Sequence, residues 1–232
     1  MDVLQAHIAS AGYGADSEII RDIEFHIERG ELVGLIGPNG AGKSTTIKAL
    51  LGQLEHMEGQ IHFAGGRLSV GYIPEHPVWY EDLTLWEHLE LAAAVYGLEP
   101  GQWEARADEM LVRFRMDAVK HRYPGSFSKG MQQKMMLVQG FLPAPDLYIV
   151  DEPFIGLDPK AMKDLIDALG DERARGAAVL MCTHVLDTAE RLCNRFVLLT
   201  DGTVRANGTL EDIRALCGLP EGTLFECFHS LL

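Results

Sequence analysis

The chain has 232 residues, 47% of them hydrophobic, which is enough for one large domain, or a domain with a subdomain, around a sizeable core. Asp and Glu outnumber Lys and Arg by 34 to 20, and the net charge of −14 argues against a protein that binds nucleic-acid backbones. Because no segment approaches the roughly 20 apolar residues of a spanning helix and the N-terminus lacks a signal pattern, we expect a soluble, uncleaved chain.

The chain begins with two predicted strands, residues 3–8 and 19–27, the second of which alternates apolar and polar residues. Between them, residues 11–14 predict a turn that presents Tyr13. An aromatic ring just ahead of a nucleotide site is either a packing residue or a platform that stacks on a base. The residue type alone leaves both open.

Residues 32–54 predict the centre of the fold, as an apolar strand, a glycine-rich loop and a helix through residue 50. The loop matches the phosphate-binding pattern G-x-x-x-x-G-K-[ST] at every position, with Gly37, Pro38, Asn39, Gly40, Ala41, Gly42, Lys43 and Ser44. The three glycines allow positive φ and bring N–H groups around a phosphate at the start of the helix. Lys43 is then placed to reach the β- and γ-phosphates, and Ser44 to ligate Mg²⁺. The alternative, a glycine-rich turn with a surface lysine, is disfavoured by the flanking strand and helix.

The next segments change in character. Short strands are predicted at residues 59–63 and 70–73, around Gly65 and Gly66, and then a helical and aromatic pattern covers residues 77–144. This pattern predicts a helical insertion between two halves of an α/β sheet. Its aromatic and leucine residues favour packing inside the insertion over a partner surface.

The sheet resumes at residues 147–150, a continuous apolar run that is typical of a buried parallel strand and ends at Asp151 and Glu152. Ligands of open α/β sheets bind beyond the carboxyl ends of the strands, so both acids are expected near the phosphate loop. Asp151 suits a magnesium role, and Glu152 suits a general base or a water-polarising group. Two solvated turn residues are the alternative, which the phosphate loop makes less favourable.

The last part of the chain predicts a helix, a strand, a hairpin and a helical tail, at residues 161–169, 177–182, 196–206 and 210 onward. His184 follows the strand, where it is either structural or a contact for a γ-phosphate. The four cysteines, Cys182, Cys193, Cys217 and Cys227, have no C-x-x-C spacing and indicate neither a metal site nor a disulfide framework.

Taken together, these motifs resemble the ATPase subunits of ABC transporters over nearly the whole chain. The motifs that carry the resemblance are Tyr13, residues 37–45, residues 72–75, residues 127–132, residues 147–152, residues 156–158 and His184. Residues 73–77 and 128–131 are most similar to the ATPase of Ecs-type bacterial exporters. The resemblance implies an α/β fold, a phosphate-loop NTPase core with a mostly parallel sheet, an antiparallel strand region and a helical subdomain. The core then comprises residues 1–75 and 145–205, the helical subdomain residues 76–144, and the tail residues 206–232.

The resemblance also implies roles for single residues. Tyr13 stacks on adenine, residues 37–44 and Thr45 bind the phosphates of ATP, and Ser44, Glu75 and Asp151 hold Mg²⁺. Glu152 is the catalytic carboxylate and His184 the switch histidine. Two identical subunits face head to tail, so that Ser128, Gly130 and Gln132 bind the γ-phosphate held by the other subunit, and Asp158 lies in a loop that communicates across the dimer.

Two positions depart from the family pattern. Where the family usually has Gln, Glu75 offers only acceptors when ionised, so it can ligate a metal but not donate to a water. In the motif of residues 127–132, the family usually has Gly directly after the serine. Lys129 adds a long cation there, which can either face a γ-phosphate or point to solvent.

The function that follows is the ATP-hydrolysing engine of an exporter, with ATP and Mg²⁺ as cofactors. Its partners are a separate membrane-spanning chain and a second ATPase subunit, without nucleic acid, at the inner face of the cell membrane. We expect a short helix of the membrane chain to enter a groove near residues 75–91. Two alternatives are an ABC-type ATPase that acts on nucleic acid or ribosomes, and a small-molecule kinase. Neither a long coiled coil, a second ATPase half nor an acceptor site is visible in the sequence.

Overall fold

The strand that precedes the phosphate loop lies inside a six-stranded sheet in the computed structural model, which describes residues 1–14, 17–64 and 70–231. Nine strands are found in these ranges: β1 Asp2–Gly12, β2 Ile20–Glu28, β3 Leu32–Ile36, β4 His56–Phe63, β5 Val70–Ile73, β6 Leu147–Asp151, β7 Ala178–Thr183, β8 Arg195–Thr200 and β9 Thr203–Gly208. Eight α-helices are found there as well: α1 Lys43–Leu50, α2 Leu85–Tyr96, α3 Gln102–Phe114, α4 Lys129–Phe141, α5 Pro159–Arg175, α6 Leu186–Leu192, α7 Leu210–Cys217 and α8 Leu224–Ser230.

The six-stranded sheet has the order β5-β6-β7-β3-β8-β9, in which only β9 runs antiparallel to its neighbour. Every residue of β3, β6 and β7 is buried, which explains why these strands are apolar runs rather than alternating ones. A separate antiparallel sheet has the order β2-β1-β4 and alternates buried with exposed positions along β1 and β2. The predicted mixture of a parallel sheet, antiparallel strands and a helical subdomain is confirmed.

The core consists of three clusters of buried side chains. One lies between the parallel sheet and helices α2 to α5 and includes Phe141 and Tyr148. A second lies between the two sheets and α1 and includes Phe25 and Ile47. The third fixes the C-terminal helices α7 and α8 through Ile213 and other residues. The phosphate loop and α1 are therefore held in place by apolar side chains of both sheets.

Several boundaries differ from the prediction. The first strand continues to Gly12, into the predicted turn, and α5 covers Pro159–Arg175 rather than residues 161–169. Residues 77–83, predicted as helical, form no helix, because Thr84 starts α2 with a capping box in which its N–H donates to Glu87 Oε2 over 2.7 Å. The predicted helical tail consists of two helices. Gly65 and Gly66, which separate the two predicted strands, lie outside the described residues.

Candidate functional site

Three neighbouring parallel strands, β6, β7 and β3, end at one edge of the six-stranded sheet. The register pairs Asp151 with Cys182 and Ile36 with Thr183, so the three carboxyl ends are level. The phosphate loop follows β3, and His184 follows β7. This edge therefore brings together the loop, both acids and the histidine, as the strand order predicts.

The phosphate loop uses its glycines in two ways. Gly40 and Gly42 have φ of +84° and +102°, a region that residues with a Cβ rarely adopt. Gly37 does not have a positive φ, contrary to the prediction. A Cβ at Gly37 would lie 2.3 Å from the carbonyl oxygen of Leu199. Gly37 is therefore required by the close approach of β8, and the other two glycines by backbone conformation.

Lys43 is buried at the start of α1 and is turned into its own loop. Its Nζ donates to the carbonyl oxygens of Gly37 over 2.7 Å and Pro38 over 3.0 Å. The loop borders a hollow of about 260 Å³ lined by Tyr13, Ile19, Asn39, Gly40, Gly42, Lys43, Ser44 and Thr45. Among the described residues this desolvated ammonium group is hydrogen-bonded only to neutral acceptors, which makes it a favourable partner for phosphate oxygens.

Tyr13 lies at the rim of this hollow, with its side chain 49% exposed. The Nζ of Lys48 is 4.8 Å from the ring centroid, within the range of a cation–π contact. Hydrogen bonding to Thr45 and to Lys48 lowers the pKa of the Tyr13 hydroxyl. Sequence reasoning missed Lys48, although its spacing of three from Thr45 places both on one face of α1.

Glu152 and His184 form a closely bonded pair. The Nδ1 of His184 is 2.6 Å from Glu152 Oε1, and the backbone N–H of His184 donates to the same oxygen over 2.9 Å. The hydroxyl of Thr183 donates to Oε2 over 3.1 Å. Glu152 also has a φ of +45°, a left-handed conformation that costs a residue with a Cβ about 1–2 kcal/mol. The carboxylate is thus fixed at the strand edge by three donors. The sequence predicts Thr183 only as a turn residue, whereas the structure makes it the last residue of β7 and a partner of Glu152.

Asp151 is a buried acid without a cationic partner. It is 6% exposed, and none of the ion pairs in the described part of the chain includes it. Burial raises the pKa of its carboxyl group, and the charges of Glu75 and Glu152 add to the increase, whereas a hydrogen bond with Cys182 and the charge of Lys43 oppose it. The side chain of Glu75 is 40% exposed. Three acidic groups therefore repel one another where a divalent cation would relieve the repulsion.

Ser128, Gly130 and Gln132, called the signature residues below, lie at the start of α4. Ser128 is the N-cap of this helix, and its side chain accepts a hydrogen bond from the Met131 N–H over 3.3 Å. Gln132 Nε2 donates to the Pro124 carbonyl over 3.2 Å. Gly130 faces the next loop, since a Cβ there would lie 3.1 Å from Gly156 O. Of the hydrogen bonds given by the described residues, none joins this segment to the phosphate loop of the same chain.

Asp158 is the N-cap of α5 and accepts from the N–H groups of Lys160 and Ala161 over 3.0 and 2.9 Å. Lys134 Nζ on α4 lies 3.2 Å from its other oxygen. These partners, Ala161 first, lower the pKa of the Asp158 carboxyl group. The structure thus gives Asp158 two contacts, the cap of α5 and an ion pair with Lys134 on α4.

A different group of possible metal ligands, Asp2, His26 and Glu28, lies on the three-stranded sheet. Two of its three residues already have partners, because Arg195 Nη1 is 3.1 Å from His26 Nε2 and Gln5 donates to Asp2 over 2.7 Å. A guanidinium in this position disfavours a cation. The group is also separate from the strand edge that carries the candidate residues.

Comparison with known proteins places the chain in a family. Residues 20–155 match the family model described as ABC transporter. An uncharacterized ABC transporter ATP-binding protein of Bacillus subtilis, YthP, is 50% identical over 229 residues, covering 99% of this chain and 96% of YthP. The ABC-type transporter ATP-binding protein EcsA of the same organism is 42% identical and covers 100% of this chain and 97% of EcsA.

A solved structure described as the ATP binding subunit of an ABC transporter is 45% identical, with a TM-score of 0.94 over 99% of both chains. Within the described ranges, the search for a helix of sufficient length and hydropathy to cross a bilayer finds none. The resemblance inferred from the motifs is confirmed. The chain belongs to the ABC transporter family and is an ATP-binding subunit with ATPase activity.

Proposed function

We propose that this chain hydrolyses ATP in a head-to-tail dimer of identical subunits and thereby drives export through a separate membrane-spanning chain. One observation carries the proposal. Lys43, Asp151 and the Glu152–His184 pair converge on one strand edge, whereas the signature residues lie on another element of the chain. In this proposal a single chain contributes the phosphate loop and acids to one site of the dimer and the signature residues to the other site.

The phosphate loop binds the triphosphate in this account. Gly40 and Gly42 shape the backbone around it, Asn39 and Ala41 complete the loop, and Thr45 follows in the first turn of α1. Lys43 exchanges its two carbonyl acceptors for charged phosphate oxygens, which form stronger hydrogen bonds. Tyr13 stacks on adenine from the rim of the hollow, with the exposed part of its ring available for the base.

Glu152 is the group that activates water. Its carboxylate is fixed by Thr183 and by the backbone and ring of His184, so its direction is set before any substrate arrives. His184 is about half exposed, so the solvent side of its ring is available to a γ-phosphate. In the reaction, Glu152 accepts the proton of the attacking water, and His184 orients the carboxylate.

The acidic edge fits the Mg²⁺ that the family implies, because the buried Asp151 lacks a cationic partner within the described residues and has a raised pKa. Ser44, Glu75 and Asp151 are the oxygen ligands proposed for it. When bound, Mg²⁺ neutralises phosphate charge and polarises the γ-phosphoryl group. Glu75 serves only as an acceptor, so any water it contacts must be positioned by other donors.

The second half of each site comes from the partner subunit. Ser128, Gly130 and Gln132 at the start of α4 provide a helix terminus and polar groups for the γ-phosphate bound by the other chain. Asp158 connects α5 to this segment through Lys134. Each site is therefore complete only in the dimer.

A groove beside α2 is the proposed seat of the membrane subunit. It has a volume of about 320 Å³ and is lined by Val78, Trp79, Tyr80, His88, Leu91, Ala92, Met136 and Gln139. Val78 and Tyr80 are 70% and 64% exposed, so their apolar surface is available to a short amphipathic helix. The chain then works in the cytoplasm, on the inner face of the membrane. The net charge of −14 gives nucleic acid no support as a partner.

Cross-linking tests the arrangement directly. Asn39→Cys lies in the phosphate loop and Lys129→Cys beside the signature serine, and both positions are exposed. A mixture of the two single variants, each also carrying Glu152→Gln, should give a disulfide-linked dimer in ATP and Mg²⁺. Each variant alone should give none. Cross-linking of one variant with itself, or no cross-link in the mixture, would reject the head-to-tail dimer.

A further inference from the structure

Arg106 connects three elements from a half-buried position on α3. Its Nε donates to the carbonyl oxygen of Phe141, the last residue of α4, over 2.8 Å. Its Nη2 donates to Glu172 Oε1 on α5 over 2.6 Å. One planar guanidinium therefore fixes the C-terminal end of α4 against α5, a geometry that a lysine cannot reproduce.

Glu172 is the buried centre of this network. Arg175 Nε donates to its other oxygen over 2.9 Å, and Arg175 Nη2 donates to the carbonyl oxygens of Ala144 and Pro145. Burial alone would raise the pKa of Glu172, but the hydrogen bonds from Arg106 and Arg175 outweigh it and lower the pKa. The carboxylate therefore remains ionised, and the turn after α4 is bonded to α5 as well.

The far end of α4 carries Ser128, where one ammonium–carboxylate contact, Lys134 to Asp158 over 3.2 Å, joins the helix to α5 in place of a bidentate guanidinium. At 1.5 Å per residue, the 13 residues of α4 make a lever of about 20 Å. A rotation of about 5° at Phe141 would therefore move Ser128 by about 1.7 Å. Sites that bind and activate a reacting group tolerate only about 0.5 Å.

We propose that Arg106 is a positioning residue that sets the direction of α4 and so places Ser128 against the γ-phosphate of the partner's site. The inference rests on the proposed dimer and deepens it, because it names the residue that aligns each half-site. Arg113 provides a matched comparison. Its Nη2 is 2.8 Å from Asp171 Oδ2, so it joins the same two helices, but it has no hydrogen bond to α4 among the described residues.

The test compares Arg106→Met, Arg106→Lys, Arg113→Met and Ser128→Ala in the full chain. Three quantities are measured: affinity for a fluorescent ATP analogue, kcat for ATP hydrolysis, and melting temperature. Arg106→Met should bind the analogue within about two-fold of wild type, because the phosphate loop is untouched. Its kcat should fall about 10- to 100-fold, as a displacement of about 1 Å does elsewhere. Arg113→Met should change neither quantity by more than about two-fold.

Arg106→Lys should be intermediate, since an ammonium reaches either Phe141 O or Glu172 but not both in the same geometry. A kcat of Arg106→Met within two-fold of wild type, or an equal loss in Arg113→Met, would overturn the inference. If Arg106→Met is unfolded at the assay temperature, Arg106→Lys is judged by the same comparison, and a wild-type kcat refutes the role. A wild-type kcat in Ser128→Ala would instead remove the proposed signature site itself.

Discussion

Trp86 and Tyr80 lie six residues apart in the aromatic segment, and replacing each by Ala should affect a different property of the protein. Trp86 packs against the core, with its ring centroid 5.3 Å from that of Trp103. The Nζ of Lys120 lies 4.4 Å from the centroid of the Trp86 ring. Tyr80 is 64% exposed and borders the groove proposed for the membrane subunit. Trp86→Ala should therefore weaken folding, and Tyr80→Ala should weaken assembly.

The expected magnitudes follow from burial. Removing a fully buried Trp costs about 3–5 kcal/mol, so the partly buried Trp86 should contribute about 2–3 kcal/mol, of which the ring pair supplies about 0.5–1.5. For a chain of this size each kcal/mol shifts the melting temperature by about 2–4 °C, so a decrease of about 4–12 °C is expected. Tyr80→Ala should change stability by no more than about 1 kcal/mol, because it loses the stack of its exposed ring on His88, with centroids 6.0 Å apart, but retains its backbone N–H bond to the same residue.

Thermal unfolding and co-purification with the membrane chain separate the two effects. Tyr80→Ala should melt within about 4 °C of wild type and keep its basal ATPase activity, yet recover less of the partner. Trp86→Ala should melt earlier. If Tyr80→Ala melts early as well, or assembles fully, then the groove does not hold the partner and the docking surface must lie elsewhere.

Three further predictions concern the strand edge. Lys43→Ala should weaken ATP binding about 10- to 100-fold in a fluorescence titration with little change in melting temperature, because a charged donor contributes about 1.5–3 kcal/mol; unchanged affinity would contradict its role. Gly37→Ala should destabilise the chain by about 1–3 kcal/mol in thermal unfolding, since its Cβ would lie 2.3 Å from Leu199 O; a wild-type melting curve would refute that contact. Asp151→Asn should raise the melting temperature at pH 7 without nucleotide, because burial raises the pKa of Asp151 and its ionised form opposes folding. That gain should shrink as the pH falls through the raised pKa and vanish below about 3.9, the ordinary Asp value; a gain that does not depend on pH would refute the charge argument.

The central strands and their loops could be predicted from the sequence because each is specified locally. Continuous apolar runs identified β3 and β6, and the loop pattern fixed where α1 begins. The expected meeting of Asp151, Glu152 and His184 followed from one rule on parallel strand ends. The rule placed the elements, but not the hydrogen bond from Thr183 to Glu152, which depends on side-chain rotamers.

Other features depend on contacts that are distant in sequence. The division of the aromatic segment between Trp86 and Tyr80 is set by Trp103 on α3, which no periodicity reveals. Arg106 reads as an ordinary surface residue of an amphipathic helix until α5 brings Glu172 to it. The start of α2, by contrast, is marked locally. Thr84 and Glu87 form the capping-box spacing, which would have placed the start of α2.

The most direct measurement for the account is the mass of the Glu152→Gln chain in solution with and without ATP and Mg²⁺, together with its rate of hydrolysis. Gln retains the shape of the side chain but cannot accept a proton from water, so binding should persist while turnover is lost. We expect a monomer without nucleotide and a stable dimer with ATP that hydrolyses at a small fraction of the wild-type rate. A variant that stays monomeric with ATP bound and hydrolyses it at the wild-type rate would contradict both the role of Glu152 and the shared site.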